Sequence, residues 1–247
     1  MGGIRLTLIT VTKDDPDGLG RTLVSAAALR AAGVEHLVVD GGVGEEGNAG
    51  LINVRRLMRP AGGIADAFNY GLANARGEWV WFLNGGDEVD PGLDPAVLMN
   101  LLGLSKADAL IGGITYMGED APRLHPPEEQ RWPAFLPWVP HPATLVRREL
   151  FSRHGGYDER YQIVMDYEWS LRVLSRADVR VEVISTPLAI FEPGGISQRE
   201  ECRARLASER DDVVRRYQRL GWSVWPRGGV RWLKIWVRAC LAKRLDS

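Results

Sequence analysis

Three short apolar runs, each ending abruptly in polar or glycine-rich residues, constrain this chain more than any other feature. Ile4–Thr12 (IRLTLITVT) runs into Lys13-Asp14-Asp15-Pro16, His36–Asp40 (HLVVD) into Gly41-Gly42, and Trp79–Leu83 (WVWFL) into Asn84-Gly85-Gly86-Asp87. β-Branched and aromatic runs of this length, bounded by turn residues, read as strands. Between them, Leu19–Ala32 and Ile64–Ala75 carry helical spacing, and the first closes at Gly33, a residue suited to a left-handed cap. Leu51–Arg56 reads as a further strand. The order β-α-β-β-α-β predicts an α/β fold with a mostly parallel sheet. Sheets of this kind gather functional residues at the carboxyl ends of their strands, where Lys13, Asp40 and Asp87 fall.

The second half has a different pattern. Pro95–Leu104 reads as a helix, Ala109–Tyr116 as a strand, and Pro122–Pro142, rich in Pro and Trp, as an irregular connection. Ala143–Val146 and Val179–Ile184 read as strands, Arg148–His154 and Met165–Ala177 as helices. Ser197 and Glu200 match a capping box that opens a charged helix to about Leu220.

Composition removes several function classes. The 31 basic and 32 acidic residues leave a formal charge of -1, which excludes a globally basic nucleic-acid coat, so no nucleic-acid partner is expected. Two cysteines, Cys202 and Cys240, build no disulfide scaffold and suit a reducing compartment. The N-terminus reads as lacking a signal peptide, and no run approaches the ~18 apolar residues of a membrane span. The first strand is not followed by GxGxxG, which argues against a nicotinamide-dependent oxidoreductase, and no GxSxG elbow is present.

Four segments fall in a recognisable order: ITVTKD (Ile9–Asp14), VVDGG (Val38–Gly42), GGIADAFNYGLANARGEWVWFLNGGDEVD (Gly62–Asp90) and HPATLVRRELFSRHGGYDERYQIVMDYEWSLR (His141–Arg172). Together with FEPGGIS (Phe191–Ser197), they resemble the inverting, nucleotide-sugar-dependent family 2 glycosyltransferases of GT-A fold, over about residues 4 to 200. The resemblance implies a Rossmann-like nucleotide half over about 1–94 and an acceptor half over about 95–221. Together these form one domain, with a separate C-terminal tail over 222–247.

It also implies roles. Thr10, Val11 and Thr12 would lie against the base of the donor, and Asp40 would hydrogen-bond base or ribose, as a carboxylate can. Asp66 and Asn69, three apart on one helix face, match the family's third motif and would also belong to the donor site. Asn84, Gly85 and Gly86 would line the diphosphate, with Asp87 as the metal ligand. The developing charge of a departing diphosphate calls for a divalent cation, Mn²⁺ or Mg²⁺, or for positive side chains. Asp166 would be the general base that deprotonates the acceptor hydroxyl, and His141 would face acceptor or diphosphate. Read without the resemblance, Asp40 is a turn residue, Asp66 a helix-dipole carboxylate, Asp87 part of a surface turn and Asp166 a helix cap.

The chain departs from the family pattern in places. Asn84 and Gly86 replace the acids of the stronger Asp-x-Asp motif, and Ala61-Gly62 replaces an Asp-Lys pair, leaving Arg56 and Arg59 as the nearest substitute cations. In the tail, Arg231, Lys234 and Arg238 share one side of a helical wheel, opposite Trp232, Leu233, Trp236 and Cys240. A basic amphipathic helix over 230–244 suits peripheral contact with an anionic membrane, a core-packing helix, or self-association into a homo-oligomer.

The expected function is transfer of a sugar from a nucleotide-diphosphate sugar, uridine-linked, to a glycan or lipid-linked acceptor. The expected location is the cytoplasm, at the inner face of the plasma membrane. The alternative is a catalytically degenerate GT-A-fold scaffold.

Overall fold

The computed structural model describes residues 3–42, 53–59, 62–117, 123–125, 139–191 and 200–219. The first strand, β1 (Leu6–Thr12), is buried along nearly its whole length. Asp15 caps the helix that follows, α1 (Pro16–Ser25), by accepting from the Gly18 N–H at 2.9 Å, and Pro16 occupies its first turn. The single helix expected over 19–32 is divided at Ala26, where α2 (Ala27–Ala31) begins. The Thr22 hydroxyl donates back to the Gly18 carbonyl and the Ser25 hydroxyl to the Thr22 carbonyl, a competition that bends helices.

Next come β2 (Glu35–Asp40), β3 (Val54–Met58), α3 (Gly63–Asn74), β4 (Trp79–Asn84) and the two-residue β5 (Glu88–Val89). The chain continues through α4 (Pro95–Leu104), β6 (Ala109–Tyr116), β7 (Arg123–His125), β8 (Thr144–Arg147), α5 (Arg148–His154), α6 (Met165–Trp169), β9 (Val181–Phe191) and α7 (Arg203–Arg219).

Among the described residues all nine strands belong to one sheet, ordered β3-β2-β1-β4-β8-β6-β9-β5, with β7 on β6. The expected parallel sheet holds across β3-β2-β1-β4. Beyond β4 the sheet is mixed: β8 enters antiparallel to both β4 and β6, and β9 runs parallel to β6. The strand expected over 179–184 extends to Phe191, because Pro187 sits at an irregularity of the β6–β9 ladder where its missing N–H costs nothing.

The helix expected over 165–177 is α-helical only to Trp169 and turns π-helical over Ser170–Leu174, a local insertion common beside functional sites. Glu200 opens a 3-10 turn and α7 starts at Arg203; Ser197, the expected cap, lies outside the described residues. The tail over 222–247 and most of 122–138 lie outside them too.

Each face of the sheet carries its own core. Leu6, Leu8, Leu29, Trp79, Trp81, Leu98, Leu102 and Leu145 fill the α1, α2 and α4 side. Trp79 and Trp81 satisfy their buried indoles by donating to the carbonyls of Leu102 (3.2 Å) and Pro142 (2.7 Å). The other face packs Ile9, Val39, Phe68 and Phe82 against Phe151, Tyr157, Met165, Trp169 and Tyr217. Gly71 lets α3 lie directly on β1, since a Cβ there would stand 2.5 Å from Ile9 Cγ2.

Candidate functional site

The register of the parallel strands sets the site. Thr12 pairs with Asp40 across β1–β2, and Val11 with Asn84 across β1–β4, so the three strand ends finish together. The strand order reverses between β1 and β4, with α1 following β1 on one face of the sheet and α3 leading into β4 on the other, the kind of switch point at which such sheets bind ligands. Of the three residues expected at the base, only Thr12 presents its side chain at this edge. Thr10 is fully buried with its hydroxyl 2.9 Å from His36 Nε2, and Val11 is packed inside. Asp40, also buried, accepts from the Gly42 N–H at 2.8 Å and from the Nε (3.1 Å) and Nη2 of Arg56 on β3.

Arg59, just past β3, forms a fork with Asp66 in the first turn of α3, both contacts at 2.8 Å. Bidentate guanidinium–carboxylate pairs of this kind are geometrically selective. The hydrogen bonds from Arg59 pull the Asp66 pKa down against the cost of burial. Gly62, at φ 118°, permits this approach: a Cβ there would fall 2.2 Å from Asp66 Oδ2. Arg59 also lies over the Tyr70 ring, 5.1 Å from its centroid. The two arginines noted as substitute cations therefore stand beside the two candidate donor carboxylates.

Asn69, one turn on, faces the second half of the chain. Its Oδ1 accepts from the Tyr157 N–H, and its Nδ2 donates to the Tyr157 carbonyl and to Glu159 Oε1. The family resemblance implies a place in the donor site for Asn69; in the fold its amide joins the two halves.

The Asn84–Asp87 turn is tied to α1. Gly86, at φ 102°, donates its N–H to Thr22 Oγ1 (3.0 Å), and the Thr22 hydroxyl donates to the Asp87 carbonyl at 2.7 Å. Gly85 continues the ladder with its N–H on the Val11 carbonyl. Asp87 is 4% exposed, and its Oδ2 accepts from both the backbone and the side-chain nitrogen of Asn84 at 3.2 Å. Asn84 Oδ1 is buried with no hydrogen-bond partner.

One carboxylate and one orphaned amide oxygen on a single turn suit a hard divalent cation that completes its shell with phosphate and water oxygens. Among the described residues no cluster of three or more His, Cys, Asp or Glu forms a closed metal cage.

The second half contributes Asp166 in the first turn of α6. Val164, not Asp166, is the cap residue; Asp166 Oδ1 accepts from the Tyr167 N–H at 2.7 Å. Burial raises the Asp166 pKa to about 6, against the pull of backbone N–H groups. Tyr157 is pushed well above its ordinary range by burial and by the Asp166 charge. Its hydroxyl lies 3.0 Å from His141 Nε2. His141 stacks on Phe82 (5.4 Å, 18° between planes) and meets the edge of Phe68, and burial lowers its pKa to about 4, so it is neutral near pH 7.

His141, Tyr157 and Asp166 thus form one neighbourhood beneath the Asn69 clamp. Tyr157 was missed in the sequence, where it reads only as the aromatic of a GGYDE turn.

A parallel nucleotide-type half that continues into a mixed sheet, with a half-buried acid in the following half, has the architecture of a GT-A-type glycosyltransferase. The chain belongs to glycosyl transferase family 2, whose profile matches residues 7–180. An uncharacterized glycosyltransferase of Mycobacterium tuberculosis (strain H37Rv) is 32% identical over 225 residues, covering 86% of this chain and 85% of that one. A PGL/p-HBAD biosynthesis glycosyltransferase of the same strain is 26% identical over 136 residues, covering 55% of this chain and 53% of that one.

Among solved structures, S. aureus TarS 1-349 superposes with a TM-score of 0.60 at 16% identity, over 76% of this chain and 60% of that one. The same protein in complex with UDP-GlcNAc gives 0.58 at 14% identity, over 77% and 59%. At that identity the likeness is one of fold.

Proposed function

We propose that this chain transfers a sugar from a uridine-diphosphate sugar to a hydroxyl of a glycan or lipid-linked acceptor, with inversion at the anomeric carbon. The observation that carries the reading is Asp166: a half-buried carboxyl at the start of α6, its pKa raised to about 6 by desolvation, whose charge acts on Tyr157, the partner of His141. A base whose pKa lies near working pH is both deprotonated and able to take a proton. As the acceptor oxygen bonds to C1, its proton passes to Asp166. The bond from C1 to the diphosphate oxygen breaks, and its electron pair leaves with the nucleoside diphosphate.

Asp40 and the end of β1 would receive the nucleotide, and Asp66, Asn69 and the Asn84–Gly86 turn the ribose and diphosphate. A divalent cation on Asp87 and Asn84 Oδ1, with Arg56 and Arg59 nearby, would neutralise the leaving group. The UDP-GlcNAc complex of S. aureus TarS supports a uridine-linked donor by likeness of fold. No helix of the described residues is long and apolar enough to cross a membrane. We place the protein in the cytoplasm, with the tail over 230–244 meeting the inner membrane face or a second copy.

The second reading is a degenerate scaffold. It draws on the internal pairing of Asp40 with Arg56 and of Asp66 with Arg59, which occupies carboxylates a donor would use. Calorimetric titration with UDP, with and without Mn²⁺, separates the two. Metal-enhanced binding that Asp87→Ala abolishes supports the transferase; no binding of any nucleoside diphosphate by folded protein supports the scaffold.

A further inference from the structure

The loop that delivers Asp166 is not held by its own helix. Val164 at the α6 N-terminus offers no side-chain cap, and among the described residues the N–H groups of Gln162, Ile163 and Val164, which lead into it, donate to no backbone carbonyl. One carboxylate takes all three. Glu209 of α7 accepts from Gln162 N at 3.1 Å through Oε1, and from Ile163 N at 2.9 Å and Val164 N at 3.2 Å through Oε2.

Neighbouring turns of α7 add further ties to the same stretch. The Tyr161 hydroxyl donates to Asp212 (2.8 Å), Arg216 to Asp158 (2.9 Å) and the Tyr217 hydroxyl to the fully buried Glu168 (2.5 Å). Leu206, Glu209, Val213 and Tyr217 recur at helical spacing, so one face of α7 both packs and clamps. This helix lies beyond residues 7–180, the span matched to the family.

We propose that Glu209 is a positioning residue for the transfer reaction: its carboxylate gathers the three amides of the turn that leads into α6 and so fixes the turn from which Asp166 meets the acceptor hydroxyl. The inference rests on the general-base reading of Asp166. It extends the working site to a helix outside the family core. Removal of the clamp frees three amides two to four residues before Asp166, which lets the turn fray and water reach the carboxyl. The groups facing Asp166 itself, the Tyr167 N–H and Tyr157, stay in place.

The test uses the full chain with Glu209→Gln and with Asp212→Asn, which loosens α7 at a different contact. Two quantities are read: the Asp166 carboxyl titration by ¹³C NMR, and kcat against KM for turnover of a UDP-sugar. In E209Q the Asp166 midpoint is expected to fall by half a pH unit or more toward the ordinary carboxylate range. The kcat is expected to fall about tenfold with donor KM within twofold. D212N, which loses a single tie at Tyr161, is expected to move both by less than E209Q does, and Glu209→Asp to recover part of kcat.

An unmoved titration and kcat in E209Q overturn the proposal, as does an equal change in D212N. The Asp166→Asn variant is run alongside. If it keeps full turnover, the general-base reading falls, and the NMR titration alone then decides whether Glu209 positions Asp166.

Discussion

Asn69 grips Tyr157 by both backbone groups: its Oδ1 accepts from the Tyr157 N–H at 2.8 Å and its Nδ2 donates to the Tyr157 carbonyl at 2.9 Å. A side-chain amide has the donor and acceptor of a peptide group, so α3 pairs with the 157 loop as a strand would. Gly156 is required beside it, because a Cβ there would stand 2.4 Å from Asn69 Oδ1. Tyr157 in turn holds His141 and borders Asp166, so one amide couples the donor-side helix to the proposed base.

Asn69→Ala removes both contacts and leaves the Tyr157 peptide groups without partners in a buried setting. A loss of about 1–3 kcal/mol in unfolding free energy is expected. Asn69→Asp keeps the acceptor and loses the donor, and should fall between the two. Urea unfolding monitored by circular dichroism checks both.

Asp166→Asn removes the proton acceptor but keeps shape and the contact to the Tyr167 N–H. Turnover should fall by about 10² or more, in the range general bases contribute, while UDP affinity stays within twofold. Single-turnover kinetics and calorimetry read the two quantities; a parallel loss of both would place Asp166 in donor binding.

The pH profile follows from the same carboxyl. The raised pKa of Asp166 means that the active, ionised form is lost as pH falls through about 6. The acidic limb of kcat should therefore bend near pH 6, not near the ~4 of an ordinary carboxylate. Below the bend it should drop tenfold per pH unit.

Stability should have its own acid dependence. His36, fully buried, and His141, half-buried, are neutral, their pKa values lowered by desolvation to about 3 and about 4. Between the ordinary histidine value of ~6.5 and those depressed values, the unfolded chain binds protons that the folded chain does not. These two groups therefore lower stability as pH falls from about 6.5 toward 4. Asp166, with its raised pKa, opposes this between about 6 and 4, because its folded form takes a proton earlier than the unfolded one. His36→Asn, tested by thermal unfolding from pH 7 to pH 4.5, should flatten the decline, since Asn has no proton to gain.

Gly62→Ala places a methyl group against the Asp66 carboxylate and forces φ 118° on a residue that disfavours it. The Arg59–Asp66 fork should open, and UDP binding should weaken while the cores of the sheet stay folded. Calorimetry of the variant, with a melting curve as control, tests this.

The local pattern of residues carries most of the strands and helices on its own. β1, β2 and β4 are apolar runs stopped by turn chemistry, and α4, β6 and α5 match their sequence boundaries, because Asp94-Pro95 and Gly155 punctuate the chain there. Asp40 and Asp87 stand out as carboxylates gathered just after apolar strands, whereas Asp166 is marked only by the family resemblance, because an acid at a helix start is favoured in any case. The pairing of β8 between β4 and β6 was not readable, since a four-residue strand carries no mark of its neighbours.

Nor were the partners. Arg56 on Asp40, Arg59 on Asp66, Asn69 on Tyr157 and Glu209 on the 162–164 amides are separated by 16, 7, 88 and about 46 residues. Strand and helix formation is governed by neighbours within a few residues, so the sequence determines it directly. Whether a carboxylate is ionised, clamped or aimed at an acceptor depends on desolvation and on groups brought close only when the chain closes on itself. That decision belongs to the tertiary structure.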